Sequence, residues 1–198
     1  KVDNKTLEII KFYEKYNELE QIIRTGWIEC KIPAERLESV ADHTLKVGML
    51  ASLITHELNL TDINLTKLLE MAFIHDLGEI NIGDISTTQI KTVEDKQEKH
   101  QKELAAINEI LSILSPEVKN YYLSLWLEFE DQNTKEARLL KQIDKIDAIL
   151  KSHMYESVYN IEGLFDEFYS YNPNNLLNKE PLGDVYQELP EAYKNLTR

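Results

Sequence analysis

One short segment of the sequence holds the side chains best suited to chemistry. Residues 72–84 read A-F-I-H-D-L-G-E-I-N-I-G-D and carry ionisable groups behind an apolar run: His75, Asp76, Glu79 and Asp84. Neighbouring side chains in the middle of a helix point about 100° apart, so His75 and Asp76 could not easily share a small ligand there. At a frayed helix end that restriction relaxes, and Gly78 is a natural terminator. The pattern therefore predicts that a helix ends here and presents both side chains to one metal ion.

Two residues elsewhere could complete a metal site. His43 stands near the start of another predicted helix, in E-S-V-A-D-H-T, and Asp144 lies in K-Q-I-D-K-I-D among Ile143 and Ile146. A carboxylate among apolar residues on a buried face needs a compensating partner, and a metal ion would supply one. An isolated histidine on a helix is usually only packed or solvated, so the other histidines are not assigned as ligands.

Apolar residues at helical spacing predict the elements that must hold these side chains. We expect an all-α fold of six or more helices, because helix formers dominate and the chain has only 6 Gly and 5 Pro. Six segments show this spacing. They are 5–24, a segment that begins near Ala41, Leu65 to His75, a segment that includes Leu104–Leu114, one that begins at Pro116 and one that follows Thr134. Residues 27–38 and 78–91 are predicted loops, and a short tail helix over 184–196 is predicted to be interrupted by Pro190.

Charge and composition narrow the class of protein. The net charge of −13 disfavours a nucleic-acid partner, although a small anionic substrate fits if a few Arg and Lys gather at one pocket. No apolar run approaches the roughly 18 residues of a membrane span, so we expect no membrane partner. Cys30 is the only cysteine, which fits a reducing, cytoplasmic location. The length of 198 residues suits a single domain.

Short motifs in chain order resemble the HD-domain metal-dependent phosphohydrolases, and within them the 5′-deoxynucleotidase branch. They are R-T-G-W at 24–27, R-L-E-S-V-A-D-H at 36–43, H-D-L-G-E-I-N-I-G-D at 75–84, L-W-L-E-F-E at 125–130 and K-Q-I-D at 141–144. The resemblance covers residues 7–158, whereas the extension over 160–198 carries no motif. It implies an HD-domain helical bundle, one domain over 1–198, that hydrolyses deoxynucleoside 5′-monophosphates to deoxynucleosides and phosphate.

The resemblance implies one divalent metal ion held by these residues: His43, His75, Asp76 and Asp144. Two histidines and two carboxylates suit Mn²⁺, Co²⁺, Fe²⁺, Ni²⁺ or Zn²⁺ better than Mg²⁺, and the choice among these transition metals stays open. Two-metal members need additional histidines before the final Asp, and only His100 lies in that interval. The ppGpp hydrolases place Asp directly after the Glu of H-D-x-x-E, whereas Ile80 stands there in this chain. The dNTP triphosphohydrolases are usually much longer.

The same resemblance implies roles for the remaining polar residues. Glu79 is expected to be the general acid/base, and Asp84 its partner that orients water or the leaving oxygen. Substrate contacts are expected from these residues: Arg24, Trp27, Arg36, Ser86, Thr87 and Glu128, with Glu130 as the alternative to Glu128. The arginines would hold phosphate oxygens, and Trp27 would pack against the sugar and leave no room for a 2′-hydroxyl.

A deoxynucleotide substrate and a homodimer are the partners that the resemblance implies. Two alternatives to the deoxynucleotidase stay open. One is another HD phosphohydrolase acting on a different small nucleotide or phosphoester. The other is a non-catalytic nucleotide-binding protein, which the intact set of metal ligands and Glu79 disfavours.

Overall fold

The computed structural model describes residues 2–196, and in that range the protein is helical, without a β-strand. The helices are α1 Asn4–Asn17, α2 Thr25–Glu29, α3 Val40–Glu57, α4 Leu65–Ile74, α5 Glu79–Ile82, α6 Val93–Leu111, α7 Pro116–Asp131, α8 Lys135–Tyr159, α9 Leu164–Ser170 and α10 Gly183–Leu196. The predicted all-α class is confirmed. Within residues 2–196, no helix combines the length and the apolarity needed to cross a membrane.

Four helices form the centre of the protein. Helix α3 packs against α4 and α8, and both α4 and α8 also pack against α7. Their apolar faces meet in a core that includes Leu68, Met71, Trp126, Leu140 and Ile143, each at most 1% exposed. Burial of this surface is the main source of stability, and close packing holds the helices at fixed relative positions.

Local capping signals start the helices where the site requires them. The Ser39 hydroxyl accepts from the Asp42 N–H, and the Asp42 carboxylate accepts from the Ser39 N–H at 2.9 Å, which is a capping box at the start of α3. The Thr134 hydroxyl accepts from the Ala137 N–H at 3.2 Å at the start of α8. Because α3 begins directly after its cap, His43 lies in the first turn of that helix.

The N-terminal region departs from the predicted single helix over 5–24. Helix α1 ends at Asn17, and a 3₁₀ turn over Glu18–Gln21 follows. Ile23 then pairs with Ser39 in an isolated antiparallel bridge. The apolar spacing continues through this segment, but pairing with the chain before α3 holds the backbone extended there. The predicted helix is therefore wrong in its last third.

The predicted loops and the tail contain more helix than expected. Helix α2 enters the predicted loop over 27–38, and α5 forms inside the predicted loop over 78–91. Helix α10 continues through Pro190 without the predicted interruption. Contacts between the tail helices sustain it, because the Tyr186 hydroxyl donates to the Tyr169 carbonyl at 2.6 Å. Tertiary packing thus overrides the local helix-breaking signal.

A second, smaller apolar cluster joins the end of the chain to α2. Its buried members are Trp27, Ile32, Tyr155 and Leu164, and Phe168 packs against them. Trp27 belongs to α2, Tyr155 to the last turns of α8, and Leu164 and Phe168 to α9. The C-terminal extension is therefore packed onto the same side of the bundle that α2 occupies.

Candidate active site

Two histidines and two aspartates from α3, α4 and α8 meet at one point. His43 Nε2 lies 3.1 Å from Asp144 Oδ1 and 3.5 Å from Asp76 Oδ2, and His75 Nε2 lies 3.2 Å from Asp76 Oδ2. Ligand atoms of His43, His75 and Asp144 all lie within 4.8 Å of one another. Both Nε2 atoms are buried without a hydrogen-bond partner among the described residues. Buried nitrogen lone pairs that converge with carboxylate oxygens fit a divalent metal ion.

The outer nitrogen of each histidine is held by a partner. His43 Nδ1 lies 2.7 Å from Asp147 Oδ2, and His75 Nδ1 donates to the Ala72 carbonyl at 2.6 Å. Asp147 is only 3% exposed. Such contacts place the proton on Nδ1 and leave Nε2 free to bind a cation, which is the usual support for metal-binding histidines.

The electrostatics of the cluster show how strongly it favours positive charge. Burial opposes a charge on the His43 imidazole, as does Arg24, but the neighbouring carboxylates of Asp144 and Asp147 outweigh both and raise the pKa of His43 to about 9. Burial would raise the pKa of Asp144, yet Lys145 and His43 hold that pKa well below its usual range. A bound divalent ion would supply this positive charge and leave the imidazole neutral.

Glu79 lies beside the cluster at the start of α5. It is 6% exposed, and its Oε2 has no hydrogen-bond partner among the described residues. Burial, and then the negative charges of Asp76 and Asp84, raises the pKa of Glu79 well above its usual range. A raised pKa favours the protonated carboxyl, which is the form that a general acid needs.

Asp84 returns towards the same place after a turn at Gly83, where φ is +77°. Its carboxylate accepts from the Thr25 N–H, and its carbonyl accepts from the Thr25 hydroxyl at 2.7 Å. Glycine populates positive φ without strain, so the turn needs no compensation. The two bonds tie the loop after α5 to the start of α2.

The cluster opens into a cavity of about 740 Å³. Five basic side chains border it, together with nine acidic ones; the basic ones are Arg24, Lys31, Lys99, Lys141 and Lys145. Arg24 Nη1 lies 3.8 Å from Asp76 Oδ2, and burial of the guanidinium is outweighed by Asp144 and Asp76, which raise its pKa above its usual range. Cations are therefore available to an anionic group at this cavity, although carboxylates outnumber them in its lining.

An aromatic wall closes another side of the cavity. Trp27 is 2% exposed and stacks on Phe168, with ring centroids 4.7 Å apart and planes at 18°. Tyr155 meets the same indole edge-on, with a centroid distance of 5.0 Å. Leu164 and Tyr171 continue the lining from the C-terminal extension. Sequence reasoning missed this contribution, for which the only signal was aromatic and apolar residues at helical spacing in α9.

The structure brings most of the predicted site residues to this cavity. The predicted ligands His75, Asp76 and Asp144 border it, as do the following: Glu79, Asp84, Arg24, Trp27, Ser86 and Thr87. His43 is fully buried behind them, with no exposed surface. The Ser86 hydroxyl donates to Glu29 Oε2 at 3.1 Å, so Glu29 also supports the loop that follows Asp84.

Two predicted substrate contacts lie elsewhere. Arg36 is exposed and borders a separate surface cavity with Lys46. The Glu128 carboxylate accepts from the Thr134 hydroxyl and lies 2.7 Å from Lys67 Nζ, outside the main cavity. These two assignments are corrected, since neither side chain reaches the cavity. Of the two glutamates that the spacing left open, Glu130 is the one that borders it.

Comparison with known proteins agrees with this geometry. Residues 16–180 match the family described as HD domain. The chain belongs to the HD-domain family. This confirms the resemblance inferred from the motifs, and the matched range includes the four candidate ligands and also α9.

Curated relatives of this HD domain carry a specific activity in their names. The chain is 36% identical to the 5′-deoxynucleotidase HDDC2 of Dictyostelium discoideum, over 74% of this chain and 77% of that protein. It is 32% identical to the 5′-deoxynucleotidase HDDC2 of Xenopus laevis, over 82% of this chain and 76% of that protein. Among solved structures, a conserved hypothetical protein of Pyrococcus furiosus superposes with a TM-score of 0.71 at 28% identity, covering 92% of this chain and 99% of the other.

Proposed function

We propose that this HD domain is a metal-dependent phosphomonoester hydrolase that converts deoxynucleoside 5′-monophosphates to deoxynucleosides and phosphate. The observation that carries the proposal is a buried, unpartnered Glu79 carboxyl beside a His–Asp cluster at a cavity that Arg24 and several lysines also border. The names of the relatives point to the same substrate class. A cavity of about 740 Å³ is within the range that holds small-molecule ligands.

His43, His75, Asp76 and Asp144 would hold the metal ion. When bound, such an ion polarises a phosphoryl oxygen and lowers the pKa of a bound water. The donor set favours Mn²⁺, Co²⁺, Fe²⁺, Ni²⁺ or Zn²⁺ as a single ion. Asp147 and the Ala72 carbonyl keep the two imidazoles oriented through their outer nitrogens.

The remaining groups of the chain bind substrate and move protons. Arg24 and the lysines at the cavity neutralise the phosphate, and a guanidinium can hold two of its oxygens at once. Asp84 orients the attacking water, whose oxygen bonds to phosphorus as the bond to the 5′ oxygen breaks and protonated Glu79 donates to that oxygen. Both protons of the water stay on the phosphate product, and one of them returns to Glu79 before the next turnover. A well-placed proton donor of this kind accelerates a reaction by roughly 10²- to 10⁴-fold.

The nucleoside occupies the side of the cavity where the aromatic wall lies. Trp27 is fixed between Phe168 and Tyr155, so its edge is a rigid boundary rather than a mobile side chain. A rigid boundary beside the sugar can exclude one additional hydroxyl, which is the basis for the proposed preference for deoxyribose over ribose. Ser86 and Thr87 supply hydroxyl groups near the same loop.

The proposal includes a cytoplasmic homodimer of single-domain subunits that binds neither nucleic acid nor membrane. Support for the dimer comes from a stripe of exposed apolar side chains on α3 and α8: Leu45, Met49, Leu53, Met154 and Val158, which are 44–69% exposed. Neighbouring exposed apolar residues of this kind often mark an interface. Sedimentation equilibrium of the wild type and of Met49→Glu tests it, and a wild type that stays monomeric contradicts it.

The activity is tested by phosphate release from dAMP, dTMP, dCMP and AMP in Mn²⁺, Co²⁺ and Mg²⁺. We expect release from the deoxy forms and its loss in Glu79→Ala, while Glu14→Ala, which alters an exposed residue of α1, behaves as wild type. Equal release from AMP contradicts the sugar preference. No release by a metal-loaded protein contradicts the proposal and favours a different phosphoester substrate or a non-catalytic nucleotide-binding protein.

A further inference from the structure

A continuous chain of polar contacts joins the aromatic wall of the cavity to the metal cluster. Trp27 Nε1 donates to Glu38 Oε2 at 2.7 Å, and Lys46 Nζ lies 2.7 Å from Glu38 Oε1. The same Lys46 Nζ lies 3.4 Å from Asp147 Oδ1, whose other oxygen lies 2.7 Å from His43 Nδ1. Two residues in this series of contacts, Glu38 and Lys46, have no role in the proposed chemistry.

The burial of these groups makes the central lysine important. The side chains of Glu38 and Asp147 are 1% and 4% exposed, while that of Lys46 is 34% exposed. Two carboxylates in low-dielectric surroundings repel each other and are costly to bury without a counter-charge. Lys46 Nζ is the cation that both of them contact, so its removal takes away the charge that the two carboxylates share.

The same series of polar contacts also links the segment that carries Trp27 to helix α3. Glu38 precedes α3 and its carbonyl accepts from the Arg24 N–H at 3.0 Å, so it is attached to the segment that carries Trp27. Lys46 lies on α3, about one turn after His43. A shift of Glu38 towards or away from Lys46 would therefore change the position of the Trp27 indole and, through Lys46 and Asp147, that of the His43 imidazole.

We infer that Lys46 and Glu38 are positioning residues that orient both Trp27 of the aromatic wall and the metal ligand His43. Lys46 holds Asp147 in place to orient His43, and Glu38 holds the indole at the edge of the cavity. Neither residue contacts the reacting atoms. The substrate part of this inference rests on the proposed function, whereas the metal part does not.

The test compares Lys46→Met with Lys46→Arg and with a matched control. Lys67 on α4 is also paired with two carboxylates, Glu128 at 2.7 Å and Glu136 at 3.2 Å, and its side chain is 27% exposed. Lys67→Met therefore removes a similar ion pair outside the cavity. For each folded variant, Mn²⁺ affinity is measured by calorimetry, and the ratio of kcat/KM for dAMP to that for AMP is measured by phosphate release.

We expect Lys46→Met to bind Mn²⁺ about 10-fold more weakly, the lower end of the effect of losing an outer partner of a metal ligand. Its preference for dAMP should fall by about 3-fold or more, which is about 0.7 kcal/mol at 1.4 kcal/mol for each factor of ten. Lys46→Arg should restore both properties, because it keeps the charge, and Lys67→Met should alter neither.

Several results would overturn the inference. An unchanged Mn²⁺ affinity in Lys46→Met, or an equal loss of Mn²⁺ affinity in Lys67→Met, would show that Lys46 only forms an ion pair and has no specific effect on the metal ligand. A weaker affinity with an unchanged dAMP preference would break the link to Trp27. If the wild type hydrolyses no monophosphate, the proposed function fails, and the Mn²⁺ affinities alone still decide whether Lys46 orients the metal ligand.

Discussion

Phe168 offers a sharp test of whether the C-terminal extension forms part of the substrate site. It is partly buried, borders the cavity and stacks on Trp27 at a centroid distance of 4.7 Å. Replacement of a fully buried Phe by Ala costs about 3–5 kcal/mol, so a partly buried ring should cost about 2 kcal/mol, including the stacking contribution. For a chain of this size that corresponds to a fall in Tm of about 4–8 °C.

The effect of Phe168→Ala on activity should differ from its effect on stability. Loss of one wall of the cavity should raise KM for dAMP about 10-fold, which is 1.4 kcal/mol of binding. The value of kcat should stay within about 3-fold of wild type, because the ring contacts neither the metal cluster nor Glu79 and its loss removes binding rather than transition-state chemistry. Steady-state phosphate release and a calorimetric scan measure the two quantities separately.

Phe12→Ala is the matched control for this experiment. Phe12 is a partly buried aromatic residue on α1 that packs against the main core and Tyr16, and it does not border the cavity. It should lower Tm by a similar amount and leave KM unchanged. If Phe168→Ala lowers Tm without raising KM, then α9 is only structural. If it lowers kcat as strongly as it raises KM, the ring affects the transition state and not only binding. Either result refutes the reasoning.

Three further predictions concern the metal and the bundle. Mn²⁺ at about 100 times its Kd should add about 2.7 kcal/mol of stability, seen as a rise in Tm that is absent in Asp144→Ala. Thr134→Ala should lower the free energy of unfolding in urea by about 1 kcal/mol, because it removes the cap of α8, and should leave kcat unchanged. Leu140→Ala should cost about 2–5 kcal/mol in the same urea experiment, because Leu140 is fully buried and leaves a cavity. A loss below about 1 kcal/mol there would mean that the helices collapse into the space.

The parts of the site that sequence could predict are those carried by rare residue types at fixed spacing. Helix α4 ends at Ile74 and leaves His75 and Asp76 directly at its end, as expected, although Gly78 has a φ of −61° and lies at the start of α5 rather than capping α4. The all-α class and the HD-domain family are confirmed. Their signals, apolar periodicity and several short motifs in order, do not depend on knowing which distant surfaces meet.

The parts that sequence could not predict depend on distant contacts. Phe168 reaches Trp27 across 141 positions of the chain only because α9 folds back along α8. Glu128 and Glu130 have the same side chain and lie two positions apart, so they point to different sides of α7. The orientation of α7 in the bundle decides that Glu130 faces the cavity. Arg36 resembled a phosphate contact by its type and position, but the 3₁₀ turn that carries it lies beside another surface cavity.

The cations at the cavity of this acidic protein have a consequence for the order of product release. The net charge is −13, yet Arg24 and four lysines border the cavity. A deoxynucleoside is neutral and is not retained by these cations, whereas inorganic phosphate carries the charge that they attract. Phosphate should therefore leave last and compete with substrate, and added salt should weaken both substrate binding and product inhibition.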